Sequence, residues 1–169
     1  MSRFVLAVTA AVLIAGGVRA DNKQNIEDAK AATATLEKSK DAKARAEAIT
    51  KLGKLGESGM YKYVEPAIPK IVEALDDKDT GVRAAAALAI GLIGPDDVDP
   101  VVKKLGELLK DKDDTVKGNA VKALGSLGPK AKDAVKDLQA AKKDLNDPKS
   151  AMSKQIDAAV NSIMQKTKK

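Results

Sequence analysis

The sequence predicts an all-α protein whose fold is a short α-solenoid of about four antiparallel helical hairpins. The first observation is a repeat, because the block from Asp79 to Pro95 returns 34 residues later as Asp113 to Pro129. The second is that the intervening apolar residues follow helical spacing, with no sustained two-residue alternation. The third is that only 2% of the residues are aromatic, so small aliphatic side chains must fill the core, which favours closely packed helices over sheets.

The first twenty residues have the layout of a secretory signal. Arg3 precedes an apolar run from Phe4 to Ala15, and small residues occupy the positions that a signal peptidase reads before Ala20. The alternative is a membrane anchor, but a spanning helix needs roughly 20 apolar residues, more than this run offers. We therefore expect a mature chain that starts at Asp21 and is exported to the periplasm or out of the cell. No second apolar run follows, so no transmembrane segment is expected after cleavage.

The composition excludes several kinds of chemistry. The chain has no cysteine, no histidine and no tryptophan. Thiol and histidine catalysis are therefore excluded, and a zinc site is disfavoured because such sites use those two side chains. No disulfide can form either, although an oxidising compartment would permit one. No cofactor is expected.

Weaker copies of the repeat flank the two strong ones. One copy begins 38 residues upstream at Asp41, and a fainter one follows near Asp147. The polar first and last helices are then expected to cap the ends of the stack. The predicted layout is a signal at 1–20 and one domain at 21–169, divided into an N-terminal capping helix at 21–40, repeats at 41–77, 78–112 and 113–146, and a C-terminal capping helix with a basic tail at 147–169.

Each repeat opens on an aspartate that precedes a helical apolar pattern. A side-chain carboxylate at this position accepts hydrogen bonds from free backbone N–H groups and complements the helix dipole. Asp147 is followed by proline, a residue favoured at the first helical position. The predicted N-caps are therefore Asp41, Asp79, Asp113 and Asp147.

Two glycines recur in each of the first three copies. One set coincides with the helix ends, where a left-handed residue is expected: Gly56, Gly94 and Gly128. The other set lies three residues earlier, inside the helix, where glycine costs about 1 kcal/mol relative to alanine. We expect this second set to let a neighbouring helix approach closely: Gly53, Gly91 and Gly125.

A second set of helices lies between the repeat blocks. Helical spacing of apolar residues predicts helices over Val64–Leu75, Val98–Leu109 and Ala131–Ala141. Ile26–Leu36 and Met152–Ile163 give one further helix at each end. The total is eight helices in four hairpins.

The repeat resembles a known family. The block from Val82 to Gly94 closely resembles a HEAT repeat of the short, phycobilisome-lyase-like type, and Val116 to Gly128 matches it with lysine in place of arginine. Ala44 to Gly56 matches less well. The resemblance implies a right-handed superhelix with the second set of helices on its concave side, and it implies little about function. Some relatives act on bilin chromophores, but without histidine or cysteine the match is interpreted as structural.

Tetratricopeptide and ankyrin repeats fit less well. Tetratricopeptide units have a similar length but carry aromatic residues at fixed positions, and ankyrin units carry a histidine in their turn. This chain lacks both features. The HEAT-like interpretation is therefore preferred.

Acidic clusters recur at the helix junctions, for example Asp76–Asp79 and Asp111–Asp114. Paired carboxylates can hydrolyse glycosidic bonds, and acidic loops can bind calcium. Recurrence with the repeat is what helix caps would show, and the spacing lacks a calcium-loop pattern. We therefore expect capping and no enzymatic activity.

A lysine-rich face is the first candidate for partner binding. Residues 21–97 carry 12 basic and 14 acidic side chains, whereas residues 98–169 carry 16 and 10, so the second half has a net charge of +6. A basic face would suit a protein with an acidic surface. The alternative is a solvated face with no partner. The candidate residues are Lys70, Lys103, Lys104, Lys110, Lys136, Lys142 and Lys143.

The second candidate is the insertion that lengthens the first repeat. Ser58–Tyr63 holds both tyrosines of the mature chain, Tyr61 and Tyr63. Aromatic side chains on a loop can anchor a partner. Alternatively, they fold back onto neighbouring helices.

The sequence therefore predicts an exported, non-enzymatic scaffold that binds another protein. One alternative is an accessory or lyase-like protein that presents a ligand or chromophore. Another is a basic adaptor for anionic polymers, whose binding would weaken as salt rises. Nucleic acid is disfavoured as a partner because lysine far outnumbers arginine and no aromatic residues interleave the lysines.

Overall fold

A computed structural model describes residues 23–145 and 147–165. The predicted signal and the last residues of the basic tail lie outside this part of the chain. All regular structure in the described ranges is helical, which confirms the all-α prediction. The α-helices are α1 (23–38), α2 (Ala42–Glu57), α3 (Tyr61–Val64), α4 (Ile68–Glu73), α5 (Thr80–Ile93), α6 (Asp99–Leu108), α7 (Asp114–Leu127), α8 (Val135–Lys143) and α9 (Ala151–Met164).

The helices form a two-layer stack. In the first layer, α2, α5, α7 and α9 each pack against the next. In the second layer, α4 lies beside α6, and α6 lies beside the 3-10 segment Gly128–Ala134 that precedes α8. Between the layers runs one aliphatic core, in which Ile49, Ile90 and Leu124 are fully buried. A stack of hairpins that share one core is a solenoid, as the repeat predicted.

Three of the four predicted N-caps are confirmed. The Asp41 carboxylate accepts a hydrogen bond from the backbone N–H of Lys43 at 3.1 Å, and Asp79 accepts one from Val82 at 3.1 Å. The Asp113 carboxylate accepts two bonds at the start of α7. Each aspartate has extended backbone angles, as an N-cap requires.

The fourth predicted cap, Asp147, is wrong. Helix α9 is capped by Ser150, whose hydroxyl accepts from the backbone N–H of Ser153 at 3.2 Å. Asp147 instead accepts from the N–H of Lys149 within the preceding turn. A fixed 34-residue offset misplaced the cap, because the connection to α9 is longer than those before it.

The internal glycines have the role expected of them. A Cβ atom added to Gly53 would lie 2.9 Å from the Cα of Ala89, and one added to Gly91 would lie 2.9 Å from the Cα of Ala123. At Gly125 the corresponding distance to the Cα of Ala159 is 3.2 Å. Consecutive first-layer helices therefore touch backbone to backbone.

Of the three predicted left-handed helix ends, Gly94 is confirmed, with φ and ψ angles of 61° and 62°. Gly128 also follows the last residue of its helix, but its φ of 56° is combined with a ψ of −138°, which lies outside the left-handed helical region and is accessible to glycine. Gly56 is a wrong prediction, since α2 continues to Glu57 and the positive φ falls on Gly59. A Cβ at Gly56 would lie 2.7 Å from Cγ1 of Ile93, so this glycine serves close packing instead.

The second helix of the first repeat is broken. Instead of one helix over Val64–Leu75, α3 and α4 are joined by the 3-10 turn Glu65–Ala67, and a second 3-10 turn follows α4. Pro66 and Pro69 lack the N–H groups that a continuous helix would use. The segment still occupies one helix position in the second layer. No helix within the described ranges is long and apolar enough to cross a membrane.

Candidate interaction surfaces

Two arginines clamp the junctions between repeats. Nε and Nη2 of Arg45 donate to the Asp77 carboxylate at 3.0 and 2.9 Å. Nε and Nη2 of Arg83 donate to the Asp111 carboxylate at 2.7 and 3.0 Å. Each pair is bidentate, a geometry that favours arginine over lysine.

The remaining donors and acceptors of each clamp are also used. Nη1 of Arg83 donates to the carbonyls of Asp77 and Lys78. The Asp111 carboxylate accepts a further bond from the N–H of Asp113 at 2.9 Å. The acidic clusters at these junctions are therefore occupied by capping and clamping, as the sequence indicated.

The second clamp is shielded from solvent. The side chains of Arg83 and Asp111 are 11% and 8% exposed. A hydrogen bond from Arg83 holds the pKa of the Asp111 carboxyl below its usual value, despite the opposing effect of burial. The hydrogen bond to Asp111 also raises the pKa of Arg83. Both shifts mean that the charged forms of the two side chains are stabilised.

The clamp stops after the second junction. Lys117 occupies the arginine position of the third repeat, and Leu145 occupies the aspartate position. Nζ of Lys117 pairs with Asp114 at 2.6 Å, within its own helix. In α9 the position equivalent to Arg83 and Lys117 holds Ser153, which is fully buried. Its hydroxyl has no hydrogen-bond partner among the residues that the structure describes.

Three of the predicted partner-binding lysines form ion pairs within the chain. Nζ of Lys70 lies 2.9 Å from the Glu73 carboxylate. Lys104 pairs with Asp76, which links α6 to the end of the α3–α4 segment. Lys142 of α8 pairs with Asp157 of α9, and the Nζ–Oδ1 distance is 2.5 Å. These contacts reduce the charge that the second layer offers to a partner.

Four predicted lysines form no ion pair with the described residues. Lys103 lies in a cleft between α6 and the start of α8, together with Asp99, Asp133 and Asp137. The other three are exposed at separate points of the second layer: Lys110, Lys136 and Lys143. The structure thus distributes these lysines among acidic side chains and does not gather them into one basic patch.

The two tyrosines lie on a helix, where a loop was expected. Both belong to α3, are partly buried and pack against the core. The hydroxyl oxygen of Tyr61 accepts a hydrogen bond from the backbone N–H of Asp96 at 3.2 Å. Tyr61 therefore tethers α3 to the turn after α5. The structure agrees with the alternative in which these side chains fold back onto the protein.

The sequence analysis did not anticipate the outward surface of the first layer. We define the first-layer face as the outward side-chain positions of its four helices. Their spacing repeats from helix to helix, and they line three clefts, two of which share Lys122 and Gln155. They are Lys43, Glu47, Thr50 and Lys54 in α2; Gly81, Ala85, Leu88 and Leu92 in α5; Thr115, Asn119, Lys122 and Ser126 in α7; and Ala151, Gln155, Ala158 and Ser162 in α9.

The central groove of this face has a volume of about 490 Å³. It lies over α5, α7 and α9, and its apolar walls include Leu88, Leu92 and Val121. Lys122 is the one charged residue among the twelve that line it. One charged residue among twelve is a small share on a chain in which 32% of residues are charged.

Two polar side chains of the first-layer face are hydrogen-bonded within the stack. The Ser162 hydroxyl donates to the Gly125 carbonyl at 2.8 Å, and the Asn119 amide donates to the Ala84 carbonyl at 2.9 Å. The sequence signal for this face was α5 itself, whose only charged residue, Arg83, is buried in the clamp. That helix is apolar on its outward side as well as its inward side.

The described residues contain no group of three or more acidic, histidine or cysteine side chains placed to hold a metal ion. The carboxylates of the two clamped junctions are engaged by arginines, lysines and backbone N–H groups.

Comparison with known proteins agrees with this architecture. Two crystal structures of engineered proteins from the Northeast Structural Genomics Consortium match with TM-scores of 0.66 and 25% identity, over 80% and 79% of this chain. A third engineered protein matches in fold, with a TM-score of 0.62 and 24% identity over 78% of this chain and 37% of its own. This chain spans 62% of the length of the first two.

A search of curated proteins finds no match. The family model for HEAT repeats matches residues 29–106 and 68–153, which together cover most of the chain and both clamped junctions. The predicted resemblance is thereby confirmed. The chain belongs to the HEAT-repeat family.

Proposed function

We propose that the protein is an exported, non-enzymatic scaffold that binds another protein on its helical surface. HEAT repeats form helical scaffolds that typically mediate protein interactions. The observation that carries the proposal is that the arginine–aspartate pairs at the two junctions link neighbouring repeats. The exposed helix faces are not used in these contacts between repeats. Exposed faces of this kind serve recognition of other proteins.

Export is proposed from the sequence of residues 1–20. An Arg3-led apolar run ends in small residues before Asp21, and this pattern is typical of a cleaved signal. Intact-mass analysis of the protein secreted by its native host tests this. A chain that begins at Asp21 supports export, and an intact Met1 in the cytoplasm contradicts it.

The partner is proposed to have an acidic surface. Removing Arg3 and Arg19 with the signal changes the net charge from +6 to +4. The predicted lysines that form no ion pair in the described ranges are Lys103, Lys110, Lys136 and Lys143. Exposed charges of one sign raise the association rate with a partner of opposite charge.

A cross-linked capture from the native host tests the scaffold function. We would compare the tagged full-length chain with a variant carrying Lys110→Glu, Lys136→Glu and Lys143→Glu. The matched control carries Lys112→Glu, Lys149→Glu and Lys154→Glu, which change the same charge at exposed sites outside α4, α6 and α8.

One acidic protein captured by the wild type and the control, and lost by the second-layer variant, supports the scaffold and places its site. If all three chains capture the same protein, the scaffold stands and the second-layer lysines are not its site. Absence of any specific partner contradicts the scaffold. Capture of nucleic acid or glycan alone, abolished by moderate salt, favours the polymer adaptor.

A further inference from the structure

We propose that the central groove of the first-layer face binds an acidic amphipathic helix of a partner protein. This inference rests on the scaffold function and deepens it, because it assigns a surface and a class of ligand. The groove was not among the surfaces predicted from sequence. Its apolar walls, its shape and the charges around it favour the same occupant.

The apolar part of the argument concerns α5. Leu88 is 39% exposed although its neighbours on the same helix, Ala87 and Ala89, are buried. Leu88 and Leu92 of α5 and Ala158 of α9 line the groove with exposed or half-buried aliphatic groups. Leaving these aliphatic groups in water is unfavourable, and a ligand with an apolar stripe would cover them.

The shape of the groove suits a helix. Groove-binding helices present apolar side chains at positions i, i+3, i+4 and i+7, and this stripe enters a cleft between helices. The groove runs across the stacked helices α5, α7 and α9. It is shallow, as expected where Gly91 and Gly125 bring the helix backbones together. Aliphatic side chains of a ligand helix can lie flat on such a floor, because the residues that form it are small.

The charge around the groove selects an acidic ligand. Lys122 lines both the central groove and the neighbouring cleft towards α9. Asp114 also lines that neighbouring cleft, where it pairs with Lys117, so Lys122 leaves the cleft with a positive net charge. Lys43 and Lys54 lie in a separate cleft on the α2 side of the same face, together with Glu47. An apolar centre with lysines at its rim complements a helix whose apolar stripe is bordered by Glu or Asp.

Two other occupants fit less well. A second copy would place its own lysines against Lys122, and like charges repel across an interface. A membrane surface is bound through protruding aromatic or large aliphatic residues, and Leu88 is the one exposed large hydrophobic residue on this face. The groove is a recess, which a lipid surface would not fill.

Fluorescence anisotropy with a designed helical peptide of about 18 residues, ~27 Å long, tests the proposal. The probe has leucines on one stripe and glutamates elsewhere. The comparison peptides are a scrambled version and a version with lysine in place of glutamate. We expect the full mature chain to bind the acidic peptide at least roughly tenfold more tightly than either comparison peptide.

The variants are Leu88→Asp and Lys122→Glu, with Lys122→Arg as the conservative form. The first two are expected to weaken binding of the acidic peptide by roughly tenfold, and the third to retain it. Lys112→Glu, an exposed charge reversal outside both the first-layer face and the candidate second-layer lysines, is the matched control and should bind as the wild type does. Circular dichroism checks that each variant is folded, which the exposure of Leu88 and Lys122 favours.

Equal binding of all three peptides, no binding of the acidic peptide, or an equal loss in the Lys112→Glu control overturns the groove assignment. Co-sedimentation with phosphatidylglycerol vesicles that competes with the peptide also overturns it, in favour of a membrane surface. Failure of the groove is distinguishable from failure of the scaffold. If Leu88→Asp captures the same host partner as the wild type, the scaffold stands and the groove is not its site.

Discussion

The second and third repeats have equivalent helices, but the ion pairs at the junctions that follow them differ. At the second junction Arg83 and Asp111 form a bidentate, buried pair. At the third, Lys117 turns back to Asp114 on its own helix, and Leu145 replaces the aspartate. The comparison separates two contributions to the stack, because the third junction depends on apolar and glycine contacts without a charged clamp.

Breaking the clamp should have the largest effect. Asp111→Ala leaves the Arg83 guanidinium buried without its carboxylate, and loss of one partner of a buried pair costs about 3–5 kcal/mol. Urea unfolding at neutral pH measures the loss. The matched change at the third junction, Asp114→Ala, removes an exposed pair and should cost below about 1 kcal/mol. Equal losses in the two variants would contradict the comparison.

Closing the helix contact should be next in size. Gly91→Ala puts a Cβ 2.9 Å from the Cα of Ala123, so α5 and α7 must separate, at a cost of about 1–3 kcal/mol. Gly118→Ala in α7 is the control, because its Cβ would lie 3.7 Å from the nearest atom, Cε of Met152. The control should gain up to about 1 kcal/mol from helix propensity. Thermal unfolding of both variants checks the opposite signs.

The two residues that could cap α9 allow a further comparison. Ser150→Ala removes the hydroxyl that caps α9 and should cost about 1 kcal/mol. Asp147→Ala, at the position first predicted to be the cap, should cost less, since Asp147 bonds only to the turn at Lys149. Urea unfolding of the two variants separates them. A larger loss at Asp147 would restore the sequence-based assignment.

The smallest effect should be a pH dependence that belongs to the clamped junction. The folded-state pKa of Asp111 is lowered by its bond to Arg83. Its contribution to stability is therefore complete above the unfolded pKa, about 3.9, and is lost as the pH falls through the folded value. The stability difference between the wild type and Asp111→Asn should shrink between pH 5 and pH 2, as measured by urea unfolding. A constant difference would show that Asp111 does not titrate with the clamp.

The repeat was predictable because its parts are local. An aspartate before an apolar helix caps that helix whatever the helix packs against. Asp41, Asp79 and Asp113 were therefore correctly assigned. The glycines at Gly53 and Gly91 were also correctly assigned, because glycine inside a helix is unfavourable unless something must come close.

The failures concern relations between distant residues. Gly56 looks like a helix end by its offset, but its role is set by Ile93 on the next helix. Lys104 and Lys142 look free in the sequence, and each meets an aspartate from another element. The first-layer groove was missed for the same reason, since an apolar α5 does not reveal which of its sides is covered.

The contacts of Gly53 with Ala89 and of Gly91 with Ala123 have a mechanical consequence. Neither residue type has a rotatable side chain, so these contacts cannot yield by rotamer change, and docking there loses no side-chain entropy. The first layer is therefore the stiff side of the stack. Elastic bending of the stack therefore has to change the spacing between the second-layer elements. In that layer Pro66 and Pro69 already interrupt the helix, and side chains separate the elements.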